Sequence, residues 1–523
     1  MTKAIPNMAQ HRRNVLFIWA NRSLGIVAPL LVTPIITHHF GPILTGVWLL
    51  ATQLASHLML LDAGFANSLI RYLARQRALN DDNVASEFLA TAFIALICVG
   101  LLLLLAMPFL RNLFLKSFDI APENAADAGY LVMLTVAYVA LSLPLRIGYG
   151  ILSSAHRFDR IQMWEGAGIA LRIVLVLTVF GWAEPSLFDL GLIVYGTTLG
   201  GVLALFVDGM RQNSAWSIHP SHASKQALAG LGSMGGAALM VTFAQVVLTQ
   251  GVSIVTGYSL GTGAVVILAF PIMIFLSLTP FFQTFPALLS PIAAALAARG
   301  QAEELYGSFL TTARYLASAA LLVSIALATG GYAAMTLWLQ GPKLKAEDIH
   351  TMAVVVTIIF GGYALAIAAP LGRAVLTSVG RHWQAAWIDI ATAVAGIVVG
   401  YVLMTMTEVG VTGMAVGVAF ALLLRGLVFF PLQLSRYFNT NVLSMLARIL
   451  GRPLAAALVF ALIAWILGKI LPPVSRVDLL QLMAFYMLPF MGWCAVNWML
   501  VMSAPHKMAI RRRLFKNDRK PQL

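Results

Sequence analysis

The sequence predicts an all-α integral membrane protein of about fourteen transmembrane helices: two parallel-related six-helix lobes, then two C-terminal helices. Three observations predict it. Of 523 residues, 60% are hydrophobic and only 10% charged, whereas soluble domains carry roughly 25% charged residues. The apolar residues fall in runs of about 20, the length of helix that spans the hydrocarbon core of a bilayer. Basic residues in the short connections favour one side by about four to one, the bias that marks cytoplasmic loops.

The first run, 15–38, extends well past signal-peptide length and lacks a small-residue cleavage site, so it is expected to be a retained helix. It carries Pro29 and Pro34 and ends at His38-His39, which with Gly41-Pro42 reads as an outer turn. Runs at 43–62, 86–108, 129–152, 161–183 and 187–209 complete an N-terminal lobe over residues 1–210. Runs at 233–256, 263–290, 312–338, 350–377, 383–406 and 411–435 make a second lobe over 211–436. The eighth holds Pro271, Pro280 and Pro286, interior prolines that remove backbone hydrogen bonds and permit bending. Runs at 450–471 and 478–503, with a basic tail from Lys507 to Lys520 suited to anionic headgroups, fill 437–523. An even number of crossings returns the chain to its starting side, so both termini are expected in the cytoplasm.

An offset of 224 residues brings separated stretches into register. Ala74-Arg75 meets Ala298-Arg299, Leu152 meets Leu376, Ser154 meets Ser378, Arg157 meets Arg381, and Glu165 meets Asp389. Six helices per repeat means that both copies enter the membrane from the same side. Transporters built on such parallel repeats place the substrate site between the halves.

The net charge of +14 does not point to nucleic acid, because the basic residues lie in short loops rather than in a basic domain. Cys98 and Cys494 each sit alone in an apolar run, so neither a disulfide framework nor a metal site is expected. No GxxxxGK[ST], HExxH or CxxC pattern is present. Neither an enzyme nor a cofactor is therefore expected.

The informative residues are four arginines inside apolar runs: Arg22, Arg146, Arg172 and Arg425. A guanidinium in hydrocarbon costs about 2.5 kcal/mol even on lenient scales, so such residues tend to face a wet cavity or a partner. Depths follow from a rise of 1.5 Å per residue: about 12 Å for Arg22, 18 Å for Arg172 and 16 Å for Arg425. Arg146 lies nearer its helix end. Together they predict a cationic cavity that grips phosphate oxygens through charge-assisted bonds. The alternative is internal pairing. Glu165 shares a helix face with Arg172, which leaves Asp389 for Arg425 or Arg146. Glu165, Asp389 and His57 are also candidates for ion or proton coupling, although carboxylates that anchor arginines and a hydrogen-bonded packing histidine serve as well.

The stretch from Phe40 to Arg75 contains LLDAGF, with Asp62 and Gly64, then Ile70-Arg71-Tyr72. It resembles bacterial polysaccharide-biosynthesis flippases of the multidrug/oligosaccharidyl-lipid/polysaccharide exporter superfamily. The resemblance implies a substrate: undecaprenyl-pyrophosphate-linked oligosaccharide, moved from the inner to the outer leaflet of the plasma membrane for O-antigen or exopolysaccharide synthesis. It further implies a V-shaped central cavity opening alternately to each side, with glycan polymerase or export machinery as partners besides membrane lipids. Three rivals remain at this point. A flippase for a lipid-linked peptidoglycan precursor stands nearest, and the sequence barely separates it from an O-antigen or exopolysaccharide carrier. A cation-coupled multidrug exporter of the same superfamily would call for embedded carboxylates in excess. A polytopic polymerase or ligase acting on lipid-linked glycan would call for a sizeable outer loop or an acidic catalytic pair.

Overall fold

The computed structural model describes residues 8–339, 341, 343–470 and 479–502. Among them, twelve helices are long and apolar enough to cross a membrane, and Phe485–Val501 is a shorter apolar helix. The first of the twelve, Leu16–Leu61, has 46 residues, about 69 Å if straight and therefore enough for two passes. It lies mostly in α1 (Met8–Leu58), which is interrupted at Gly41 by a non-helical φ of 75° and ψ of 177°. The two ends of this segment meet the same part of the chain. Asn14 Oδ1 accepts from the Asp159 amide at 2.9 Å, and Asp62 pairs with Arg146 at 2.5 Å. Those contacts lie thirteen residues apart, at most about 45 Å even for an extended chain, so the segment cannot be straight and bends back at Gly41. Counting that reversal, the apolar helices agree with the fourteen expected. The tail from Lys507 to Lys520 lies outside the described residues.

The chain forms two compact units. The first comprises Met1–Ala269 with Gly341–Leu344. After α1 come α2 (Ala63–Leu79), α3 (Asp82–Ser117), α4 (Pro122–Leu145), α5 (Ile147–Ser154) and α6 (Phe158–Trp182). They are followed by α7 (Leu187–Gln212), α8 (Lys225–Val246) and α9 (Val252–Leu260). α3 packs on α4, α4 on α7, α6 on both α1 and α7, and α2 on α5 and α8. Leu89, Leu131, Val136 and Ile151 are fully buried between them, whereas Leu105 and Trp182 are 79% and 92% exposed. Such outward apolar side chains suit a surface solvated by lipid rather than water.

Sequence-local signals explain the helix ends. Asp81 accepts from Val84 N at the start of α3, and Ser186 with Asp189 forms a reciprocal capping box at α7. The connection after α7 is docked rather than loose. Trp216 Nε1 donates to Asp82 Oδ1 at 2.7 Å, the Arg77 guanidinium stacks over the Trp216 ring, and Ser224 bonds Glu87.

The second unit comprises Phe270–Gln340 and Lys345–Leu523. α10 (Thr262–Ala298) runs into it from the first unit, continuous through Pro271, Pro280, Pro286 and Pro291. Next come α11 (Ala302–Leu339), α12 (Ala346–Leu365), α13 (Ala368–Ser378), α14 (His382–Met406) and α15 (Val411–Leu423). The last are α16 (Phe430–Phe438), α17 (Val442–Ile470) and α18 (Leu479–Val496). α14 packs on α15, α12 on α11 and α15, and α17 on α11 and α18. Gly396, Gly400 and Gly417 allow the α14–α15 crossing: a Cβ on Gly417 would stand 2.3 Å from the Gly396 carbonyl oxygen.

The internal repeat is visible in the helix boundaries. α4 and α12 start at 122 and 346, α6 and α14 run 158–182 and 382–406, and α7 and α15 start at 187 and 411. All differ by the offset of 224 read from the sequence. The turns before α6 and α14 match too. Arg157 N donates to Leu152 O at 2.9 Å, and Arg381 N donates to Leu376 O at 2.8 Å.

Candidate functional site

In the first unit, a cavity of about 790 Å³ is bordered by the end of α1, the α4–α5 break, α6, α7 and α8. Its charged lining consists of Asp62, Arg146, Glu165 and Arg172, joined by Asn21, Tyr138, Tyr149 and Thr198. Two breaks in helical continuity border the cavity. Asp62 stands between the short turn Met59–Leu61 and α2, and Arg146 stands between α4 and α5. The Arg146 Nε bonds Asp62 Oδ2 at 2.5 Å. The acid is almost wholly covered, with 3% of its side chain exposed, whereas Arg146 keeps 43% exposed.

Arg172 is held differently. Its Nη2 donates to Thr198 Oγ1 at 2.6 Å, and the Thr198 hydroxyl donates in turn to the Val194 carbonyl at 2.6 Å. No carboxylate among the described residues lies within ion-pair distance of Arg172, and its Nε is buried without a hydrogen-bond partner. One turn of hydroxyl chemistry orients the guanidinium while leaving its charge for something else. Glu165, on the same helix, accepts from the Asn21 amide at 3.2 Å. Asn21 in turn donates to Gln162 at 2.7 Å.

Of the four arginines, Arg146 and Arg172 line this cavity together, with Glu165 beside them. Arg22 does not join them: it is exposed on α1 and stands outside the cavity lining. Arg425 sits in the second unit in the geometry of internal pairing rather than of cargo contact. Its side chain is only 8% exposed and its Nε lies 3.0 Å from Asp389 Oδ1. Further bonds run from Nη2 to the Asp389 carbonyl at 3.0 Å and from Nε and Nη2 to Thr392 Oγ1 at 3.1 and 3.0 Å. Asp389 also holds Arg373, Nη2 to Oδ1 at 2.8 Å, with Nε 2.7 Å from Oδ2 but poorly aligned for a hydrogen bond. Asp389 therefore anchors Arg425 and Arg373, not Arg146.

His57 turns its Nδ1 to the Gln53 carbonyl one turn back, at 2.7 Å, the geometry of a packing histidine. Of the LLDAGF stretch, Asp62 belongs to the cavity, Gly64 lies in the first turn of α2, and Arg71 is exposed on that helix. His39, beside the turn at Gly41, meets the Pro185 carbonyl through Nε2 at 3.0 Å. Sequence reasoning missed Arg373, Thr198, Tyr138 and Tyr149. Only the offset of 224, which places Tyr149 opposite Arg373, could have drawn attention to two of them.

No protein-family profile matches the chain, and no curated protein matches it by sequence. Solved structures do match. An inward-facing multidrug resistance MATE family transporter of the MOP superfamily superposes with a TM-score of 0.66 at 15% identity, over 80% of this chain and 98% of that one. The lipid II flippase MurJ, in an inward closed conformation, superposes with a TM-score of 0.71 at 11% identity, over 96% of this chain and 100% of that one. A MATE structure in complex with MaL6 follows at 0.57 and 15% identity. The chain has the fold of MOP-superfamily transporters.

Proposed function

We propose that this chain is a flippase that moves an undecaprenyl-pyrophosphate-linked oligosaccharide from the inner to the outer leaflet of a bacterial plasma membrane by alternating access. The observation that carries this reading is Arg172: a guanidinium deep in a membrane-spanning helix, facing a cavity, oriented by Thr198 and unneutralised by any described carboxylate. A phosphate oxygen is the complement of such a group. Arg146 adds a second, half-exposed cation to the same lining. The fold shared with a lipid II flippase supports a lipid-linked cargo whose tail stays in the bilayer. The loop charge bias supports cytoplasmic termini.

The test is Arg172→Ala, scored by surface glycan and by lipid-linked intermediate left in the inner leaflet. A charge-assisted hydrogen bond contributes about 1.5–3 kcal/mol, so headgroup affinity should fall roughly 10- to 150-fold, with insertion and folding unchanged. Arg172→Lys should rescue only in part, because an ammonium lacks the planar fork. Wild-type export by the alanine variant would refute the assignment.

A further inference from the structure

The charges of the cavity are not matched one to one. Asp62 is taken by Arg146. Arg146 has its ion pair with Asp62 and none with Glu165 among the described residues, and Glu165 receives a hydrogen bond from Asn21 alone among them. The second unit shows what the same position holds when it is filled. By the offset of 224 that aligns α6 with α14 and α7 with α15, Asp389 stands where Glu165 stands, Thr392 where Gly168 stands, and Arg425 where Gly201 stands. Arg373 falls opposite Tyr149. In the second unit, these side chains close on one another as a buried cluster. In the first unit, the acid is kept, the guanidinium groups at the matching positions are gone, and Gly168 and Gly201 are among the cavity lining.

We propose that the position beside Glu165, in the cavity that Gly201 borders, binds an alkylammonium or guanidinium group carried by the cargo, in the place that Arg425 fills in the second unit. The proposal rests on the anion-binding reading of Arg172 and sharpens it: the cargo headgroup is zwitterionic. Glu165 and Arg172 are seven residues apart on α6, about 10.5 Å along the axis, which sets the spacing of amine and phosphate. A carboxylate at membrane depth is costly without a counter-charge, and a cationic group donating to it forms a charge-assisted bond.

The test uses the full chain in lipid nanodiscs and three soluble probes: 6-aminohexyl phosphate, hexyl phosphate and hexylammonium. The wild type should bind aminohexyl phosphate at least about tenfold more tightly than hexyl phosphate. Glu165→Gln should erase that advantage while hexyl phosphate binding stays. Gly201→Arg should erase it as well, its own guanidinium taking the amine's place against Glu165. A Cβ at Gly201 would stand 3.2 Å from the Trp164 carbonyl oxygen, so this variant is checked for a monodisperse elution profile; if it fails, Glu165→Gln decides alone. Equal affinities for the two phosphates in the wild type, or an advantage that survives Glu165→Gln, would overturn the proposal. Glu165-dependent binding of hexylammonium with no binding of hexyl phosphate would leave the cation site standing and sink the anion reading instead.

Discussion

Replacing Arg425 by alanine separates a structural guanidinium from a cargo-binding one. The side chain makes three hydrogen bonds and one ion pair, all to Asp389 and Thr392, with 8% of its surface exposed and 1% of Asp389's. Removing one partner of a buried pair costs about 3–5 kcal/mol, because the other charge is left uncompensated. Here Asp389 keeps Arg373 at 2.8 Å, so Arg425→Ala belongs near the lower end, about 3 kcal/mol. Asp389→Ala leaves two guanidinium groups facing each other without their acid and belongs near the upper end, about 5 kcal/mol on the same scale. Arg373→Ala should cost least of the three, since 22% of that side chain already reaches the surface. The double variant Asp389→Ala/Arg425→Ala should cost less than the sum of its parts by about 1 kcal/mol or more, the signature of direct coupling. Thermal unfolding of the purified protein in detergent reads all four. A fully stable Arg425→Ala protein that fails to export would refute the reasoning, for it would mean that Arg425 touches the cargo.

Other substitutions follow from the same geometry. Gly41→Ala forces a Cβ onto a backbone with φ of 75° and ψ of 177°, a region essentially restricted to glycine. It should cost about 1–3 kcal/mol, seen as a lower thermal midpoint. Gly417→Val should destabilise the second unit still more, since the first added carbon already meets Gly396 and Gly400 at 2.3–2.6 Å; yield of folded protein is the measure. Asp62→Asn should weaken the tie between the two helix breaks and lower stability by about 1–3 kcal/mol. It should also free Arg146 for the headgroup, so phosphate affinity should rise in a direct binding assay.

Much of this architecture is legible in the chain itself, for a physical reason. Lipid forces each pass to satisfy its own backbone, so hydropathy alone locates helices, and the repeat offset of 224 matches the boundaries of α4, α6 and α7 with those of α12, α14 and α15. Depth, likewise, follows from counting residues, and so Arg172 could be read as buried in the span. Which acid an arginine meets could be read only in part: the sequence offers Asp389 to Arg425, which it meets, but does not offer Asp62 to Arg146. That depends on the rotation of each helix about its axis, set by packing against neighbours far away in sequence. Arg146 reaches Asp62 because α4 breaks at that residue, and no composition signal announces the break. Arg425 points at Asp389 from a π-helical turn, Leu424–Phe429, whose extra residue per turn shifts the face presented.

The reversal at Gly41 also constrains how the protein is made. With a single residue between them, the first two passes have no linker that can wait in water while one inserts and the other follows. Their topologies are therefore coupled: the second pass must start on the membrane face where the first ends, and neither can invert without the other.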